Sequence, residues 1–158
     1  MSTKKSLELD RYLPALITFF SNKMSAGASQ IYAHLFDMHV IDWRIISMLA
    51  VEPNISASRI CQVIGLDKGA VSRALSNLKN KGFVEISADK KDSRATKIML
   101  TLAGTQLHDD MFKVAMEREQ YIFASLAKED KENLIRIMQQ LNANIEEVNE
   151  YFSEKYQL

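Results

Sequence analysis

Cysteine is nearly absent. The 158 residues hold one, Cys61, which excludes an intramolecular disulfide framework and makes a reducing cytoplasm the expected setting. Proline and glycine are scarce, at 2 and 5, so the chain has few places to break and long helices are predicted. No apolar run approaches the roughly 20 residues of a membrane span. The opening MSTKKSLELD carries no apolar signal core, so no membrane partner is expected. A glycine-rich phosphate loop, a serine or cysteine in a nucleophile elbow and an ordered pair of acids are all missing, which predicts a protein that is not an enzyme and needs no cofactor. The run His108, Asp109, Asp110 could serve acid–base chemistry, but on a long amphipathic helix it reads as a partly exposed face. His34, His39 and His108 lack a His-x-x-x-His spacing or a cysteine ligand beside them, so no metal site is assigned.

What is present is ordinary for a soluble chain: 47% apolar and 25% charged residues, at a length suited to one domain or two very small ones. The net charge is zero, which on its own argues against a polyanionic partner. The distribution argues the other way. Residues 66–97 carry eight cations against four acids, and residues 117–158 carry five cations against nine acids. One surface is suited to a polyanion and another is kept away from it.

RYLPALITFFSNKMSAGASQIYAHL reads as a helix starting near Pro14, with Leu16, Phe19, Phe20, Met24, Ile31 and Leu35 at helical spacing. VIDWRIISMLAVEPN gives a second helix in which Trp43, Ile46, Met48 and Leu49 supply the apolar bulk. Two short helices follow. Ser56 caps the first, whose apolar positions are Ile60, Val63 and Ile64; Gly65 interrupts it; Asp67 caps the second, which carries Val71, Leu75 and Leu78 on one face and stops at Gly82. Two short helices about a glycine-containing turn make a helix-turn-helix. Cys61 is assigned to the close crossing of these helices, as a core residue.

After Gly82 the period changes from helical to alternating. Val84 and Ile86, then Ile98 and Leu100, predict two short strands of a hairpin, and the charged segment ADKKDSRATK joins them. The expected fold class is therefore mainly α with a small β-hairpin wing, a winged helix-turn-helix. The rest of the chain reads as helical, ending in a stripe of Leu134, Ile137, Met138, Leu141, Ile145 and Val148. The apolar stripes at the two ends exceed what one small winged helix covers. They predict a helical dimerisation region over residues 1–36 and 105–158, flanking a DNA-binding domain over 37–104.

The N-terminal half of the second helix of a helix-turn-helix faces the major groove. Here that places Lys68, Gly69, Ala70, Ser72 and Arg73 against DNA, with Ser76 and Asn77 one turn on. The serines and Asn77 suit base edges or phosphates, Arg73 suits a forked contact to guanine, and Gly69 and Ala70 let the backbone come close. Ser56 and Ser58 offer amides and hydroxyls to phosphate. At the hairpin tip Arg94 suits the narrow, negative minor groove, Asp92 is placed to hold its guanidinium, and Lys90 and Lys91 face flanking phosphates.

DSRATKIMLTLAG resembles the Asp-x-Arg…Leu-Thr-x-x-Gly wing signature of the MarR family of bacterial transcription factors. Asp92, Arg94, Leu100, Thr101 and Gly104 match it residue by residue. DWRIISMLA and LDKGAVSRALSNLKNKGFVE are similar to that family's second helix and recognition helix. The resemblance implies a homodimer on a pseudo-palindromic operator with half-sites about one helical turn apart, most often a repressor released by a small aromatic effector. An effector pocket is then expected among the first helix, the second helix and the long helix after the wing. Tyr32, His39 and Trp43 are its candidate walls, and Arg44 is a cation for a carboxylate. The rival readings are a winged helix that docks a protein partner, and a regulator that answers to metal or to oxidation at Cys61. Clustered basic charge and the Arg94 wing disfavour the first.

Overall fold

The computed structural model describes residues 7–88 and 96–158. Lys90, Lys91, Asp92 and Arg94, all assigned to DNA above, lie outside the described residues. The elements in order are α1 (Leu13–Phe36), α2 (Val40–Val51), α3 (Ala57–Ile64), α4 (Lys68–Asn80), β1 (Val84–Ala88), β2 (Thr96–Leu100), α5 (Leu102–Ile122) and α6 (Lys128–Tyr156). The chain divides into two compact units, one reaching Lys113 and one spanning Val114–Leu158, with α5 running from the first into the second. No helix among the described residues is long and apolar enough to cross a membrane.

In the first unit the core is drawn from every element. Met38, Ile45, Ile46 and Leu49 of the α2 region meet Ile60 of α3, Val71 and Leu78 of α4, Val84 and Ile98 of the hairpin and Met111 of α5, all essentially solvent-free. Alternation predicted the strands, and the antiparallel register Val84↔Leu100 and Ile86↔Ile98 puts those four residues on one face. Ile98 also donates its N–H to Ile55 O at 2.9 Å, which ties the hairpin to the residues that lead into α3.

Two assignments change. α1 starts at Leu13 with Pro14 in its first turn, but the residues it buries are Ala15, Ala28 and Tyr32. Leu16, Phe19 and Leu35 are exposed. Two alanines and Tyr32 make the buried face of α1, while Leu16, Phe19 and Leu35 lie off it. Cys61 is half-buried; Ile60, one residue and about 100° of helix earlier, takes the buried position at the crossing. On α2, likewise, Ile45 is fully buried while Trp43 and Met48 are half-covered.

The second unit is of a different kind. α6 runs for 29 residues and none of them is buried. Leu134, Ile137, Met138, Leu141, Ile145, Val148 and Phe152 recur at three- and four-residue steps, an apolar stripe that a single chain leaves open.

Candidate nucleic-acid interface

The candidate site is the solvent side of α4 together with the start of α3. Its geometry follows from four local stops. The Ser56 hydroxyl oxygen accepts from Arg59 N at 3.1 Å and starts α3. Gly65, left-handed at φ 71°, ends α3, and its N–H reaches Cys61 O at 2.9 Å. Asp67 Oδ1 accepts from Ala70 N at 2.9 Å and starts α4. Gly82, at φ 78°, ends α4 in a paired arrangement: its N–H donates to Lys79 O, and the Phe83 N–H to Leu78 O, both at 2.9 Å.

Between those stops α4 has two faces. Val71, Ala74, Leu75 and Leu78 are buried. Lys68, Gly69, Ser72, Arg73 and Ser76 are exposed, and Ala70 and Asn77 half-buried on its flank. The structure thus brings together all seven α4 residues singled out from sequence. Ala70 already gives its N–H to Asp67, so that amide is occupied. Ser56 spends an acceptor lone pair on its cap and keeps its O–H to donate, while Ser58 is exposed beside it.

The base of the hairpin is clasped to the end of α4. Thr101 N donates to Phe83 O at 3.0 Å and Thr101 Oγ1 donates to Gly82 O at 2.7 Å. The same Oγ1 accepts from Gly104 N at 3.0 Å, which starts α5. Gly104 is required by packing: a Cβ there would collide with the Phe83 carbonyl oxygen and lie 2.9 Å from its carbon. The Thr and Gly of the wing signature therefore fix the hairpin's root to the end of α4. Sequence matched Thr101 to the wing signature but did not reveal the carbonyls it would meet.

Two other features were not read from the sequence. Asp42 is buried, and its Oδ2 accepts from His39 N at 2.8 Å, a carboxylate at a helix start where the amide dipoles favour it. Lys81 Nζ, just past α4, donates to Asp37 O at 2.7 Å and to Asp37 Oδ2 at 2.6 Å. That bond and charge hold the Asp37 carboxyl below its ordinary 3.8. Because Asp37 ends α1, this pair ties α1 to α4.

The four effector candidates do not converge. Tyr32 and Trp43 meet, ring centres 6.1 Å apart, and the stack continues from Trp43 to His108 and from His108 to Phe112, each at 5.8 Å. His39 stands apart at the α2 start, facing Arg73, Asn77 and Lys81 across a groove. Arg44 donates to Ser25 Oγ at 2.9 Å and lines another groove with Met48, Val51 and Val63. His108, read as a helix face, belongs to the aromatic stack; its Nδ1 lies 3.0 Å from Asp109 Oδ1. Among the described residues no three His, Cys, Asp or Glu side chains are grouped as a metal site would need.

A two-faced helix capped by Asp67, preceded by a short helix and followed by a clasped hairpin, defines the winged helix-turn-helix class. Residues 36–95 match the family model described as MarR family. The chain is 30% identical to a MarR/EmrR family transcriptional regulator from Acinetobacter sp. ADP1, over 89% of this chain and 99% of that one, at a TM-score of 0.83. It is 26% identical over 90 residues to the HTH-type transcriptional regulator BilQ of Clostridium symbiosum. That match takes in 57% of this chain and 62% of BilQ, less than two thirds of its length. A mutant of E. coli MarR complexed with operator DNA shares the fold, at 21% identity, a TM-score of 0.72 and coverage of 82% of this chain and 92% of that one. The chain belongs to the MarR family. Family and fold are those of transcriptional regulators and not of enzymes.

Proposed function

We propose that this protein is a cytoplasmic repressor that binds a pseudo-palindromic operator as a homodimer and releases it when a small aromatic anion binds. The observation that carries the reading is the exposed face of α4, where Lys68, Ser72, Arg73 and Ser76 stand opposite a fully packed apolar face. Side chains at that spacing on a helix rigidly capped at both ends suit base edges in a major groove. The E. coli MarR mutant with the same fold was crystallised with operator DNA, which supports the same partner here.

Homodimerisation is supported by the open stripe of α6 and by Leu13, Leu16, Ile17 and Phe19 of α1, all exposed in the single chain. Exposed apolar stripes of this kind mark association faces. Small-molecule control is supported by the Tyr32–Trp43–His108–Phe112 stack, which offers flat apolar walls beside a protonatable ring. In the proposed complex Arg94 enters the minor groove with Asp92 holding it, and Lys90 and Lys91 meet phosphates.

The test is binding of a labelled duplex enriched by the protein from a randomised pool. Arg94→Ala is expected to weaken binding by about tenfold or more, the scale of a lost arginine contact, with the dimer and its thermal midpoint intact. Unchanged affinity would remove the wing from the mechanism.

A further inference from the structure

Gly69 lies in the first turn of α4 with an ordinary helical backbone, unlike the left-handed Gly65 and Gly82. Glycine is a weaker helix former than alanine, so a reason is sought for one here. Packing against the protein body supplies none. A Cβ added to Gly69 would meet two atoms, Asp67 Oδ1 at 3.1 Å and Arg73 Nη1 at 3.3 Å. Helical side chains lean toward the N-terminus, so Arg73 lies back over the residue four positions earlier, which is Gly69. Its guanidinium rests in the space that a side chain at 69 would fill. The space left by the missing side chain at 69 lets the Arg73 guanidinium lie low over the first turn of α4.

We infer that Gly69 is a positioning residue for Arg73, leaving the room in which the guanidinium lies low over the first turn of α4, so that its fork can meet the DNA from there. The inference rests on the reading of α4 as the DNA-contacting helix and adds a division of labour to it. Gly69 acts through Arg73 and not by letting the backbone approach DNA. An alanine at 69 crowds the Asp67 carboxylate at 3.1 Å and the guanidinium at 3.3 Å, and these flexible side-chain ends must give by a few tenths of an ångström.

The test is a double-mutant cycle on a duplex enriched by the wild-type protein from a randomised pool, with thermal midpoints measured alongside. Gly69→Ala is expected to hold or raise the midpoint while weakening binding about tenfold, the scale of one arginine–base contact. Gly69→Ala is expected to cost nothing more once Arg73→Ala is present. An equal loss in both backgrounds would assign Gly69 to backbone approach and overturn the inference, as would unchanged affinity of the single variant. A pool that yields no enriched duplex overturns the DNA reading itself, whereas an enriched duplex with an additive cycle overturns only the role of Gly69.

Discussion

The segment from Ile55 to Gly104 and helix α6 are built on opposite plans. In the first, the described helices have named stops and the main apolar residues a cover: Ser56, Gly65, Asp67 and Gly82 punctuate the helices, and Ile60, Leu78, Val84 and Ile98 are shut from solvent. In α6, 29 residues form one helix without a buried side chain. Both patterns are amphipathic, yet only one is finished within a single chain. A reader of DNA must hold side chains to a fixed geometry, which needs a closed core. In the proposed homodimer the open stripe of α6 is covered by the second copy.

The comparison breaks most readily at Gly104. Gly104→Val drives a side chain into the Phe83 carbonyl and undoes the clasp between α4, hairpin and α5. A loss of more than about 3 kcal/mol is expected, because backbone must move, read as the urea midpoint. Next in size is the open stripe. Leu141→Asp with Ile145→Asp, both now exposed, is expected to turn a dimer into a monomer in sedimentation while the far-ultraviolet helix signal stays high. A monomeric wild type would refute the account of α6.

A smaller effect is expected at the cap. Asp67→Ala removes the acceptor of the Ala70 N–H and should cost about 1 kcal/mol, seen as a fall of a few degrees in thermal midpoint. The smallest lies between Lys81 and Asp37. A carboxyl held below its ordinary 3.8 in the folded chain stabilises above that value, and loses the stabilisation as pH falls through the folded pKa. Lys81→Met should therefore be slightly less stable than wild type at neutral pH, and the difference should narrow as the pH is taken down through the folded pKa, which lies below 3.8. The pair is exposed, so the difference should also shrink in salt.

Much of the closed segment was legible because its instructions are local. Caps and left-handed glycines act over three or four residues, so Ser56, Asp67 and Gly82 bounded α3 and α4 before any packing was known. Period-two alternation gave the strands for the same reason. What was not legible joins distant parts of the chain: Lys81 to Asp37, Arg44 to Ser25, His108 to Trp43. Burial of Asp42 was hidden too, because a charged residue in a helix normally marks a wet face; its acceptor role toward His39 N reverses that expectation. Cys61 shows the reverse failure, since a small apolar residue one step from the buried Ile60 looked equally suited to the crossing.

The most direct measurement is the affinity of wild type and Arg73→Ala for the enriched duplex and for a scrambled duplex of equal composition, taken across a range of salt. Wild type should prefer the enriched duplex and lose affinity steeply as salt rises, through release of counterions from the phosphates. Arg73→Ala should keep a salt-dependent hold on both duplexes while losing much of the preference between them. A variant that discriminates as well as wild type, or a wild type whose binding ignores salt, would contradict the assignment of α4 as the helix that reads DNA.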